Sequence, residues 1–187
     1  MNEKFAPEIL QHKSDLVDTI QQLLETQAER ITELSERDFL LRSIYEMERE
    51  RVEYLLRVYL RTRLQKITKY AIHIGTSVEV QSRLSESERS FAQQYLELYK
   101  EHMDASIWNS ADCEMLPAKL KDLSKMATLA VQPKTSSHVF ARVMRDCEPF
   151  TLSDRAEEQV ELKRGELVLL PYQPLANLIS DGSVCLT

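Results

Sequence analysis

The stretch Met47–Ile67, MERERVEYLLRVYLRTRLQKI, decides the fold. It lies in a segment from about Asp38 to Ile72 that contains neither Gly nor Pro. On a helix, residues three and four apart share a face. That spacing puts Leu40, Ile44, Met47, Tyr54, Leu55 and Val58 on one face, with Leu41, Val52, Leu56 and Tyr59 on the adjoining side. Arg42, Glu46, Arg49, Glu50, Glu53, Arg57 and Arg61 gather on the far side. From Leu60 onward, Leu64, Ile67 and Ala71 carry apolar surface further round the cylinder. A helix that turns apolar on several sides must be wrapped by neighbours, from its own chain or another.

Working outward, the preceding segment reads as a helix over about 14–34, with Ser14 as the expected N-cap and Asp15 and Asp18 in the first turn. Leu16, Ile20, Leu23, Leu24, Ile31 and Leu34 form its stripe. Before it, FAPEIL reads as a short turn or helix start. Gly75, Thr76 and Ser77 close the long helix, and a polar loop is expected next. A third helix over about 85–108 opens with a capping box at Ser85 and Glu88 and carries Phe91, Tyr95, Leu98 and Met103. A short helix over about 117–129 follows Pro117. These predict a helical A domain over residues 1–133.

After the linker QPKTSS the texture changes. HVFARVMR alternates at period two, with Val139, Ala141 and Val143 on one side. QVEL, ELVLLPY and SVCLT read as further strands, and PLANLIS as one or two helical turns opened by Pro174. A small β-rich B domain is expected over 134–187, so the fold class is mainly α with a β-rich appendix. With 3 glycines and 6 prolines in 187 residues, uninterrupted elements are favoured.

The formal charge is −6, but residues 49–70 hold 7 Lys/Arg against 2 Asp/Glu. An acidic chain is a poor free-standing binder of phosphate backbones. The basic stretch could still touch nucleic acid through Arg57, Arg61, Lys66 and Lys69. Those charges point several ways round the helix, which suits ion pairing within or between chains better; Arg63 beside apolar positions fits such pairing. Cys113, Cys147 and Cys185 are scattered and odd in number, as in a protein with reduced thiols in cytosol or nucleus. No apolar run approaches the roughly 20 residues that span a bilayer. The N-terminus does not read as a signal peptide. His12, His73, His102 and His138 stand alone, and no zinc-site spacing, phosphate-cradling glycine loop or nucleophile elbow occurs. Trp108 reads as a packing residue. Nothing predicts catalysis, a metal or a cofactor.

The Met47–Ile67 stretch resembles the signature helix of the Sld-five subunit family of the eukaryotic GINS complex. There an M-E-x-E-R-x-x-Y-x-L segment leads into Y-L-R-x-R-L-x-K-I, matched here from Met47 to Ile67. The likeness continues through NEKFAPEIL, LSESERSFAQQY, MLPAKL, HVFARV and the closing LVLLPYQPLANLISDGSVCLT. Family members often carry residues ahead of NEKFAPE, so the start of that leader is expected to be missing, and no partner-binding motif of such a leader is carried over. Glu53 and Arg57 fall at variable positions.

The resemblance implies a non-catalytic scaffold subunit in the nucleus, in a heterotetramer with three sister GINS subunits. It implies partners in the Mcm helicase ring, the Cdc-forty-five protein and DNA polymerase epsilon, with DNA reached indirectly through the helicase, in initiation and elongation of chromosomal replication. The residues expected at subunit interfaces or in the core are Tyr54, Leu55, Tyr59, Leu60, Arg63 and Leu64, with Val139, Phe140, Val168, Leu169 and Leu170 in the β-rich part.

Overall fold

The computed structural model describes residues 2–35, 38–108, 130–151 and 159–187. Its helices are α1 (Asn2–Phe5), α2 (Ser14–Glu33), α3 (Phe39–Lys69), α4 (Ala71–Thr76), α5 (Val78–Ser82), α6 (Glu86–Met103) and α7 (Tyr172–Ser180), with a π-helical turn at Asp104–Trp108 after α6. The strands are β1 (His138–Val143), β2 (Cys147–Thr151), β3 (Gln159–Leu162), β4 (Leu167–Pro171) and β5 (Val184–Leu186). The short helix expected at 117–129 lies outside the described residues, as does Cys113.

Several local readings shift. Ser14 is the first helical residue; Lys13 holds the cap position and makes no side-chain capping bond. The long helix stops at Lys69, and Tyr70 starts a separate turn into α4. The expected polar loop contains α5, whose cap Ser77 accepts a hydrogen bond from Val80 N–H. The capping box on α6 is complete: Ser85 Oγ accepts from Glu88 N–H and Glu88 Oε2 accepts from Ser85 N–H. Pro174 sits inside the first turn of α7, which opens after Pro171. Strand β2 was not expected from the sequence.

The chain divides into two compact units, His12–Leu64 and Met1–Gln11 with Gln65–Thr187. In the first, α2 runs beside the N-terminal part of α3. Gln27 Nε2 donates to Tyr45 O at 3.3 Å, and the Tyr59 hydroxyl accepts from Lys13 N–H at 3.4 Å. Between the two helices lies a groove of about 340 Å³ lined by Ile20, Leu23, Leu24, Tyr45 and Val52.

The second unit has two apolar cores. One gathers Ile67, Tyr70, Ile74, Leu84 and Ala92. Here Gly75 lets α6 come close: a Cβ at Gly75 would lie 2.6 Å from Leu96 Cδ2. The other core lies between α7 and one face of an antiparallel sheet ordered β4-β1-β5, and holds Val139, Ala141, Val143, Tyr172, Leu175 and Leu186. The turns before β4 and β5 use Gly165 and Gly182 at φ 93° and 74°, where a side chain would be strained. Strands β2 and β3 form a separate pair.

The N-terminal segment enters both cores. Ala6 packs in the sheet core and Ile9 in the helical one, each nearly solvent-free.

Candidate functional site: a bare helix face and an open sheet

An apolar residue on a helix is stabilising when it is covered. Along α3 the face read from the sequence is largely uncovered: Leu40 is 74% exposed, Ile44 52%, Met47 71%, Tyr54 64% and Leu55 53%. A single exposed Leu needs no explanation, whereas a row along four turns of one helix does. The polar side of α3 is held by ion pairs at helical spacing, Arg42–Glu46, Arg49–Glu53, Arg51–Glu48 and Arg57–Glu53. The Arg51 guanidinium holds the Glu48 carboxyl below its ordinary value, and Glu48 raises Arg51 in turn. Both lie in open solvent, so these pairs supply little stability.

The expected interface residues therefore separate. Tyr54 and Leu55 belong to the bare face, and Leu64 is exposed. Tyr59 and Leu60 are half-buried. Arg63 is fully buried, with its guanidinium carbon 5.7 Å from the centre of the Tyr59 ring. In the sheet, Val139 is core, Val168 and Leu170 pack against that core, and Phe140 and Leu169 stand exposed on the opposite face.

The basic stretch is not brought together as a cationic stripe. The Lys66 ammonium donates to Glu3 Oε1 at 2.8 Å and also to the Glu3 and Glu8 carbonyls. Arg57 bonds to Glu53, and the Lys69 ammonium sits 5.2 Å from the Tyr70 ring centre. Arg61 is exposed.

The sequence reading missed a polar hub built on Glu8. Its Oε2 accepts from Arg83 Nη1 and its Oε1 from the Tyr172 hydroxyl, both at 2.8 Å. Burial and the neighbouring Glu8 carboxylate push the Tyr172 hydroxyl well above its ordinary value. The partners lie 75 and 164 residues away from Glu8, so no local pattern signals them. Among the described residues, no group of three His, Cys, Asp or Glu side chains is placed to hold a metal ion. No helix among them is long and apolar enough to cross a membrane.

A helical region, a small antiparallel sheet and a long helix with an uncovered apolar face define a class of protein, the component of a larger assembly. Similarity to known proteins narrows the class. Residues 15–107 match the GINS complex protein helical bundle domain, and residues 133–186 match the C-terminus of DNA replication complex GINS protein SLD5. The chain is 35% identical over 195 residues to the DNA replication complex GINS protein SLD5 of Mus musculus, covering 98% of this chain and 83% of that protein. The SLD5 proteins of Arabidopsis thaliana and Rattus norvegicus are each 34% identical, over 98% of this chain and 85% and 83% of their own lengths. The chain belongs to the SLD5 family of GINS complex proteins.

Proposed function

We propose that this chain is a non-catalytic scaffold subunit of a four-subunit GINS particle acting in chromosomal DNA replication in the nucleus. In this reading the sister subunits cover the bare face of α3, and the β-rich part docks onto a neighbouring protein. The division at about 133/134 separates these two contributions. The particle joins the Mcm helicase ring and the Cdc-forty-five protein and links them to DNA polymerase epsilon. The subunit supplies surface that binds the active arrangement preferentially, while ATP hydrolysis belongs to the Mcm ring.

The observation that carries the reading is the row Leu40, Ile44, Met47, Tyr54 and Leu55, exposed along one face of a 31-residue helix. Direct nucleic-acid contact through residues 57–69 is the weaker reading, because Lys66 is engaged with the N-terminal segment and Arg57 with Glu53. Co-expression with three sister subunits tests the proposal. A particle holding one copy of each is expected; a chain that purifies alone as a stable monomer, leaving the sisters to assemble without it, sinks it.

A further inference from the structure

We propose that the free edge of β4 takes an extended segment of a partner protein as an added strand, with apolar side chains at alternate positions and a carboxylate beside Arg142. The inference deepens the reading that the β-rich part is a docking element and rests on it. The geometry comes from the register. Phe140 O accepts from Thr187 N–H, and Val143 N–H donates to Glu166 O, so even-numbered residues of β1 bond toward β5 and odd-numbered ones toward β4. Val139 lies opposite Leu170 and Ala141 opposite Val168. The backbone groups of Val168 and Leu170 therefore face β1, and those of Leu167 and Leu169 face away. Among the described residues, β4 pairs with β1 alone, and nothing bonds the Leu167 or Leu169 amides.

The sheet treats its two edges differently. At the β5 edge, Asn2 Oδ1 accepts from Leu186 N–H at 2.9 Å, so the N-terminal segment closes that side. At the β4 edge the sequence is LVLLP, without the lysine or bulge that commonly blunts an open edge; Pro171 marks only its end. Leu167 and Leu169 are 59% and 53% exposed beside Phe140, which lies opposite Leu169 and is 56% exposed. Only one charged side chain projects from β1 into this face, Arg142, placed between Leu167 and Cys185 by the two registers. It is exposed and, among the described residues, pairs with no carboxylate. Nearby acids are otherwise engaged: Asp146 accepts from Arg164 N–H and Glu166 from Lys163 N–H. Free amides ask for a strand, an apolar row asks for apolar side chains at period two, and Arg142 asks for an anion.

The test uses the four-subunit particle and a fluorescein-labelled Glu-Thr-Val-Thr-Val-Thr-Glu peptide, whose valines and glutamates share one face of an extended strand, with lysines replacing the glutamates in a control. Saturable binding is expected, with the lysine peptide weaker by roughly tenfold or more. Exchange of the Leu167 and Leu169 amides should be fast in the bare particle and slow by roughly tenfold or more under saturating peptide. Leu169→Pro removes an outward N–H together with one side chain of the apolar row and should abolish binding; Leu169→Lys, which loses the same side chain but keeps the N–H, should only weaken it and guards against a folding defect. Arg142→Glu should invert the preference between the two peptides. The inference is overturned if the amides are already protected in the bare particle, which would assign the edge to a sister subunit. Equal binding of both peptides, or of neither, overturns it too. A particle that fails to form with the unaltered chain would instead reject the assembly reading.

Discussion

Glu8 ties together three pieces of chain that are distant in sequence: the N-terminal segment, Arg83 at the end of α5 and Tyr172 at the start of α7. A carboxylate in this position holds a cation whose side chain is only 25% exposed and satisfies a hydroxyl on a residue that is 1% exposed. Glu8→Ala would leave the Tyr172 hydroxyl without this acceptor and remove one partner of Arg83, which keeps Glu79 and the Ile9 carbonyl, at a cost of about 1–3 kcal/mol, seen as a lower midpoint in chemical denaturation. Tyr172→Phe removes one hydrogen bond while leaving the Glu8–Arg83 pair, and should cost about 1 kcal/mol. Tyr172 also sets an alkaline limit. Its folded-state value lies above the ordinary 10.0, so above pH 10 the unfolded chain releases this proton before the folded one does. The contribution is therefore fully present below about pH 10 and declines as pH rises beyond it. Comparing stability at pH 9 and pH 11 should show a loss in the unaltered protein that is smaller in Tyr172→Phe.

The elements differ in how much of them the local sequence carries. The Ser85 and Glu88 capping box is a four-residue pattern, and both of its hydrogen bonds are present. Ser85→Ala should lower stability by about 1 kcal/mol, with fraying of the first turn of α6 visible by hydrogen exchange. Helices α2 and α3 were legible for a related reason, since stripes at 3.6-residue spacing have no other reading. Strand β2, CEPFT, carries Pro149 and no clean alternation, and its register with β3 is irregular between Cys147 and Phe150. Such a strand is made by its partner rather than by its own pattern. The break at Tyr70 was hidden because Ile67, Ala71 and Ile74 keep the apolar spacing running across it. The candidate site was legible as a set of apolar positions, yet Val139 and Phe140 are neighbours with opposite fates, one in the core and one exposed. Periodicity assigns residues to faces. It says nothing about which face the rest of the same chain will cover, nor about ion pairs such as Glu3–Lys66, whose members lie 63 residues apart.

For the molecule as a whole, the open question is what the bare face of α3 costs and what it gains when covered. Met47 and Leu55 are 71% and 53% exposed, so replacing both with glutamate removes few contacts within the chain and should change its own stability by less than about 1 kcal/mol. In an assembled particle the same positions would be buried, and each apolar side chain covered there contributes about 1.5–3 kcal/mol. Placing two carboxylates at such a contact forfeits that gain and adds the cost of desolvating charge. Met47→Glu with Leu55→Glu should therefore leave the circular dichroism of the chain unchanged while abolishing its co-purification with sister subunits. Arg61→Glu with Lys69→Glu provides the contrast. These are the two basic residues of the 57–69 stretch that are exposed and make no ion pair among the described residues. If the stretch clamped a phosphate backbone, that pair of reversals would remove salt-dependent DNA binding and leave assembly intact. On the scaffold reading neither assembly nor the salt dependence of DNA binding changes. The two double variants thus separate a helix that holds proteins together from one that grips nucleic acid.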